Sequence, residues 1–445
     1  MARPRDSMIA KYRRRWRNWS GSVEAVPNFR SYPVSVPQIQ AEVLRAAEEG
    51  ERIRVGGSGQ SFSPLSWTDE NLLSLDYFNG IESVDLRQHR VWVRSGTRLR
   101  QLAAELADRG LALQIFSSSG AQTLAGAIST GMHGSGIGLG NLSSQVTALR
   151  MVGADGRHRT LSAESNPQML DAARLSLGAL GVITHVELQC VDATRLHLKT
   201  LKGSLDETLE RINLLKRTHR HFDFKWFPYT DTVQLNFMDP TDAGESHPGL
   251  LRRAQHGMME NSALWMLSQM SRRVPRSSRM ASRLAAYAAI DRESVDELPG
   301  HRESRRLIRY DETEFSIPVQ RLPAVLRQID QLMRALHFRV HMPLEVRFAR
   351  RDDLWLSPNY QRDSAFIAAR QYRGMPHDDY FAALTDIFDR NEGRPSWSSL
   401  HGKTAYELGQ LYPRFADFQH LRHELDPRGV FLNPHLAAIF GVEQS

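Results

Sequence analysis

Cysteine is almost absent from this chain. Cys190 is the only one among 445 residues, so no internal disulfide forms. It ends an apolar strand-like run and reads as a buried structural thiol. No stretch approaches the roughly 20 consecutive apolar residues that a spanning helix needs. The N-terminus is basic, but no apolar run follows it as a secretory signal requires, so the expected location is cytoplasmic. The glycine-rich segment after residue 55 is followed by no Gly-Lys-Ser/Thr, which excludes a Walker loop, and no GxGxxG opens a helix there. His219 and His221 stand two apart without further ligands at metal-like spacing, so no metal is expected. Aromatic and basic residues are not interleaved as in a nucleic-acid platform, so no nucleic-acid partner is expected.

What remains is an ordinary globular composition with an uneven charge distribution. Apolar residues make up 41% and charged residues 24%. The net charge is +7, and most of it lies in residues 1–19, where Arg3, Arg5, Lys11, Arg13, Arg14, Arg15 and Arg17 face only Asp6. Such an arm is either a solvated tail or a contact for phosphate or anionic lipid.

Up to about residue 190 the pattern is α+β with short elements. Ser35 and Pro37 open a helix that Gly50 ends, and Ile53 and Val55 alternate with arginines as a short strand does. Residues 146–152 and 159–161 flank an Asp155-Gly156 turn and read as a hairpin. Residues 240–306, rich in Arg, Met and Ser, read as helices and loops. Residues 307–375 return to strands, and the tail from Tyr412 to Phe440 reads as helix, turn and helix.

Two small-residue loops carry the chemistry. The first strand runs into Val55-Gly56-Gly57-Ser58-Gly59-Gln60-Ser61, where free backbone N–H groups can converge on an anion such as a pyrophosphate. The second loop, Thr123 to Gly136, sets small residues around His133, so its backbone can lie flat against a planar ligand.

These residues are recognisable. Gly56 to Leu65 resembles the first flavin loop of the vanillyl-alcohol-oxidase-type (PCMH-type) FAD family, and more narrowly of its aldonolactone and alditol oxidase branch. Thr123–Gly136, Asn141–Val146, Gly178–Thr184, Glu345–Phe348, Leu411–Phe415 and Phe431–Pro434 match in the family's order. The resemblance implies an α+β fold with a two-subdomain FAD-binding domain over residues 20–190. An α+β cap over residues 191–395 would follow, and residues 396–445 would return to complete the FAD domain. FAD is then the implied cofactor. The implied cofactor-binding residues are Val55, Gly56, Gly57, Ser58, Gly59, Gln60, Ser61, Ser117, Ser118, Thr123, Gly126, Thr130, Gly131, His133, Gly134, Ser135, Ile183 and Asn433.

Three departures from the family pattern have chemical consequences. Gln60 stands where covalent members carry the linking histidine, which implies non-covalent FAD and a weaker oxidant. Ser117 stands where oxidases have glycine, which tilts the reading toward a dehydrogenase. Ser399 takes the place of the active-site lysine when the chain is counted back from Tyr412, with Trp397 as the neighbouring aromatic; Lys403 replaces that lysine only if the loop shifts by four residues.

The expected reaction transfers hydride from a CH–OH carbon of a sugar, alditol or aldonolactone to flavin N5, with O2 or another acceptor reoxidising the flavin. Glu345 and Arg347 stand two apart on a strand and share a face. The resemblance makes Arg347 the stabiliser of developing negative charge and Glu345 the holder of substrate hydroxyls; without it, the two read as a structural ion pair. His401 and Lys403 are candidate proton acceptors. Two rivals stand beside this reading. One is an epimerase component acting on a lipid-linked sugar, docked at a membrane through the arm and residues 252–290. The other is a catalytically silent flavin-binding protein.

Overall fold

The computed structural model describes residues 15–116, 119–244, 262, 264–296 and 308–443. Two small sheets and one large sheet organise it. In the N-terminal half, Phe29–Ser31, Asn71–Leu73 and Ile53–Val55 form a parallel three-stranded sheet. The helix Val36–Glu49 buries Ile39, Val43 and Ala46 against it and ends at Gly50 in the left-handed region (φ 71°). Beside it lies an antiparallel five-stranded sheet, in spatial order His158–Ser162, Val146–Val152, Val182–Gln189, Arg90–Arg94, Ile81–Asp85. The expected hairpin is present, with His158 opposite Val152 and Ser162 opposite Ala148.

The second half is built on one antiparallel eight-stranded sheet. Its spatial order is Arg292–Asp296, Arg195–Ser204, Thr232–Thr241, His221–Trp226, Leu344–Ala349, Ser364–Tyr372, Tyr310–Pro318, Arg394–Pro395. Side chains alternate across it. Phe222, Phe224, Trp226, Phe315, Val346, Phe348 and Ile367 share one core with the helices Leu205–Thr218, Leu322–Leu336 and Asp378–Arg390. The intervening residues face the flavin-loop half.

Two local expectations are corrected. Arg292–Asp296 is an edge strand inside the segment read as helix and loop, paired with Leu196–Thr200. The helix Leu322–Leu336 interrupts the region read as strands. Leu322, Val325, Leu326, Ile329 and Met333 form its buried stripe, a helical period that the flanking strand signals masked. The tail from Tyr412 to Phe440 is helix, turn and helix as expected, Phe415–Leu425 and Pro434–Phe440; a short helix, Ala405–Leu411, precedes it, with Thr404 and Glu407 forming its capping box. The C-terminal segment packs back on the N-terminal half, with Trp397, Tyr412, Phe415, Leu436 and Phe440 in the same core as Leu124 and Leu149.

Candidate active site

The two loops meet edge to edge. Gly56 leaves the three-stranded sheet bonded to Leu73 O at 2.8 Å. A Cβ on Gly57 would lie 2.6 Å from Thr123 Oγ1, so only glycine lets the first loop touch the second. Gly59 adopts φ 65° and its carbonyl accepts from Trp19 N. The C-terminal segment pins the first loop from beyond: Phe62 N donates to Ser398 O, and Ser63 Oγ donates to Trp397 O at 2.7 Å.

Between the loops runs a cleft lined by Val55 to Ser61, Thr123, Gly126, Thr130 and Ile183, all expected there. Arg54, Ser95, Gly96, Gln122, Gly178 and Gly181 also line it and were not singled out as cofactor residues. Gly96 could have been found only from the fold: a Cβ there would sit 1.9 Å from Leu75 O. Arg54 is buried beneath the cleft and donates to the carbonyls of Leu65, Leu177, Gly178 and Phe431. Burial pulls its pKa down to about 10. The cleft therefore offers bare backbone, hydroxyls and an arginine below its floor. That donor set fits the pyrophosphate of a dinucleotide, and the flat glycine walls fit a planar ring.

A second, polar pocket of about 100 Å³ opens from the first. Gln60, Gln122 and Thr130 line both, so they mark the junction. Gly131 and His133 line the second pocket with Trp19, Tyr310, Glu312, Glu314, Arg347 and Arg370.

The sheet alternation supplies its charged wall. Lys225 is opposite Glu345, Glu345 opposite Ala368, and Ala368 opposite Glu314; Arg370 is opposite Glu312. Arg347 Nη2 donates to Glu345 Oε1 at 2.7 Å, and Arg370 Nη2 donates to the other oxygen of Glu345. Arg370 Nε donates to Glu312 Oε2 at 2.7 Å and its guanidinium lies over the Tyr310 ring at 5.1 Å. His133 stacks on Phe366 at 3.7 Å and sets Nε2 3.4 Å from Glu314 Oε1.

Burial alone would raise every carboxyl in this group, but the cations sort them. Arg347, Arg370 and Lys225 outweigh desolvation at Glu345 and hold it well below the usual range. His133 does the same, more weakly, for Glu314. At Glu312 burial outweighs Arg370 and the pKa is raised; at Asp223 burial and the Glu345 charge raise it too. Arg347 and Arg370 pay desolvation, yet the carboxylates around them push both pKa values up.

Other expected residues lie elsewhere. Glu345 is 7% exposed and does not line the pocket; it bridges the two arginines from behind. Lys403 lines neither cavity and pairs with Asp389 at 2.6 Å and Glu407 at 3.0 Å. His401 also lines neither; it lies beside Trp397 and His435, with ring centroids 6.0 and 6.4 Å away. Burial lowers its pKa to about 4, and neither ring nitrogen has a hydrogen-bond partner among the described residues. Ser399 donates to Glu312 Oε1 at 3.3 Å, behind the charged wall. Asn433 caps the last helix by accepting from Leu436 N and donates to the carbonyls of Pro64, Leu65 and Trp67, so it braces the first loop. Gly134 abuts Ile115, and the Ser135 carbonyl accepts from Phe222 N. Ser117, Ser118 and most of the basic arm lie outside the described residues. Among the described residues no group of His, Cys, Asp and Glu is placed to hold a metal ion.

A glycine-walled dinucleotide cleft opening into a charged pocket defines a class: an FAD-dependent oxidoreductase acting on CH–OH donors. The comparisons narrow it. The FAD binding domain model matches residues 27–162, and the D-arabinono-1,4-lactone oxidase model matches residues 186–439. The chain belongs to the D-arabinono-1,4-lactone oxidase family, in the aldonolactone oxidase branch of the vanillyl-alcohol-oxidase type. It is 35% identical to L-gulono-1,4-lactone dehydrogenase of Mycobacterium tuberculosis over 96% of this chain and 99% of that one. It is 31% identical to L-gulonolactone oxidase of Scyliorhinus torazame over 95% and 97%, respectively. Cholesterol oxidase from B. sterolicum shares the fold, with a TM-score of 0.82 at 15% identity over 97% of each chain.

Proposed function

We propose that this chain oxidises a hydroxyl-bearing carbon of an aldonolactone, with FAD held by contacts alone. The observation that carries the reading is the junction at Gln60, Gln122 and Thr130, where the dinucleotide cleft meets a pocket walled by Arg347, Arg370, Glu312 and Glu314. The substrate class follows the names of the relatives. Bound FAD would supply the hydride acceptor.

The chain's own residues do the rest. The carboxylates and guanidinium groups of the wall hold ring hydroxyls in a fixed orientation. Arg347, pinned by Glu345, stabilises negative charge as the donor hydroxyl loses its proton. His133 beside Glu314, or Glu312 with its raised pKa, accepts that proton; both line the pocket, whereas His401 and Lys403 do not. Non-covalent attachment rests on Gln60, whose amide has no nucleophilic nitrogen, and on a cleft lined by no histidine, cysteine or tyrosine among the described residues. Serine at 117 and the mycobacterial relative's name favour a dehydrogenase that passes electrons to an acceptor other than O2.

The test is a visible spectrum before and after acid precipitation, then anaerobic titration with an aldonolactone and polyol panel. Yellow colour released to the supernatant and bleaching by a lactone are expected. Colour left in the pellet would refute the non-covalent link, and a flavin that no panel member bleaches would refute the substrate class.

A further inference from the structure

Two consecutive helices beside the large sheet bury small residues and expose large apolar ones. The first covers residues 264–273 and the second Ser278–Tyr287. Their inward positions are mostly small, serine and alanine, with Ala281 and Ala286 buried beside the serines. Ser268, Ser271, Ser278 and Ser282 are at most 1% exposed; Ser268 Oγ bonds His341 Nε2 at 2.9 Å, and Ser282 Oγ donates to Pro228 O at 2.6 Å. Their outward positions carry large apolar side chains among arginines. Met280, Leu284 and Tyr287 follow i, i+4, i+7 spacing and are 53%, 46% and 83% exposed, and Trp265 and Met266 are 41% and 59% exposed on the first helix. A helix packed on a globular body ordinarily does the reverse. Large apolar side chains exposed together on one segment mark a contact surface.

The charge identifies what the surface meets. From residue 262 to 290 the sequence contains Arg272, Arg273, Arg276, Arg279 and Arg283 and no aspartate or glutamate. Among the described residues none of the five forms an ion pair; Arg279 lies over the Tyr229 ring at 5.1 Å. Trp, Tyr and Met beside arginines is the composition of helices that lie in the headgroup region of an anionic bilayer. A second copy of the chain fits worse, because a two-fold contact would set this arginine-rich face against itself. We propose that these two helices dock the protein on an anionic lipid surface. No described helix is long and apolar enough to cross a membrane, so the contact is peripheral.

The experiment is co-sedimentation of the full-length, flavin-loaded chain with vesicles of phosphatidylcholine, alone or mixed with phosphatidylglycerol. Wild type should sediment with the mixed vesicles and not with phosphatidylcholine alone, and added salt should release it. The variant Met280→Ser/Leu284→Ser/Tyr287→Ser should partition at least about tenfold more weakly. Its flavin content and rate of bleaching by substrate should match wild type, since all three side chains point outward. Three results would overturn the proposal. One is no sedimentation with anionic vesicles. Another is binding that the triple variant leaves intact, which would assign it to the basic arm. The last is a self-associated wild type that ignores lipid and that the triple variant dissolves.

Discussion

The two faces of the eight-stranded sheet share one backbone and do opposite work. On the helix side, Phe224, Val346, Phe348 and Ile367 sit side by side across three strands, all fully buried. On the flavin side, alternate positions of the same strands carry Lys225, Glu345, Arg347 and Arg370. The first set keeps the second in place. A buried charged layer is costly to assemble and tolerates little drift, because each partner that moves leaves another unpaired. A close-packed aromatic and aliphatic layer behind it fixes the register of the strands. The difference teaches that stability and chemistry are separable here by side-chain parity alone.

Substitutions on either face should therefore fail in different ways. Phe224→Ala on the helix side should cost about 3–5 kcal/mol of stability, read as a lower denaturation midpoint. Its rate of substrate-driven flavin bleaching, per folded molecule and well below that midpoint, should stay near wild type. A large loss of rate in well-folded protein would break the separation. Arg347→Met on the other face should retain flavin and lower turnover by about 100- to 1,000-fold, since it removes a preorganised charge at the pocket. Glu345→Gln keeps the shape but removes the charge that both arginines share. It should lower turnover by about 10- to 100-fold through misplacement of Arg347. Aspartate at 345 should restore less than full rate, because it keeps the charge and shortens the reach. If Glu345→Gln changed KM alone, Glu345 would be a direct substrate ligand after all.

How much of this was legible beforehand depended on whether a signal was local. The two glycine loops are local: their small residues sit together in sequence, and the cleft is lined by most of them. Glu345 and Arg347 are local for the same reason, being two apart on one strand. Glu312, Glu314 and Arg370 were missed because each belongs to the site only through cross-strand pairing, and in a buried sheet both faces are occupied. The alternation within Tyr310–Pro318 was readable, with Glu312, Glu314 and Ser316 against Thr313, Phe315 and Ile317, but nothing local said which face met the flavin loops. His401 and Lys403 differ in the other direction, lining neither cavity. They stand near the family's lysine position in sequence, yet the turn after Trp397 sends His401 toward His435 and Lys403 toward Asp389.

His401 tests that difference most sharply, because its burial predicts a stability effect without a catalytic one. Five histidines, His185, His221, His341, His401 and His435, have pKa values lowered to about 4, chiefly by burial. Above about pH 6.5 the rings are neutral in both the folded and the unfolded chain and contribute nothing to pH dependence. Below it, the unfolded chain takes up protons that the folded chain refuses, so stability falls as pH drops from 6.5 toward 4 and this contribution levels off below 4. The depressed carboxyls of Glu345 and Glu314 act in a lower window: their stabilisation is present above about pH 4.5 and is lost as pH falls through their folded values. His401→Phe removes one ring from the upper window. It should leave stability at about pH 7.5 little changed and reduce the loss on going to about pH 5 by about 2 kcal/mol. Urea midpoints at the two pH values measure this. Turnover at about pH 7.5 should stay within about threefold of wild type, the scatter expected when no transition-state contact is lost. A drop of about 100-fold or more would mean that His401 moves the substrate proton and that the pocket residues His133 and Glu312 do not.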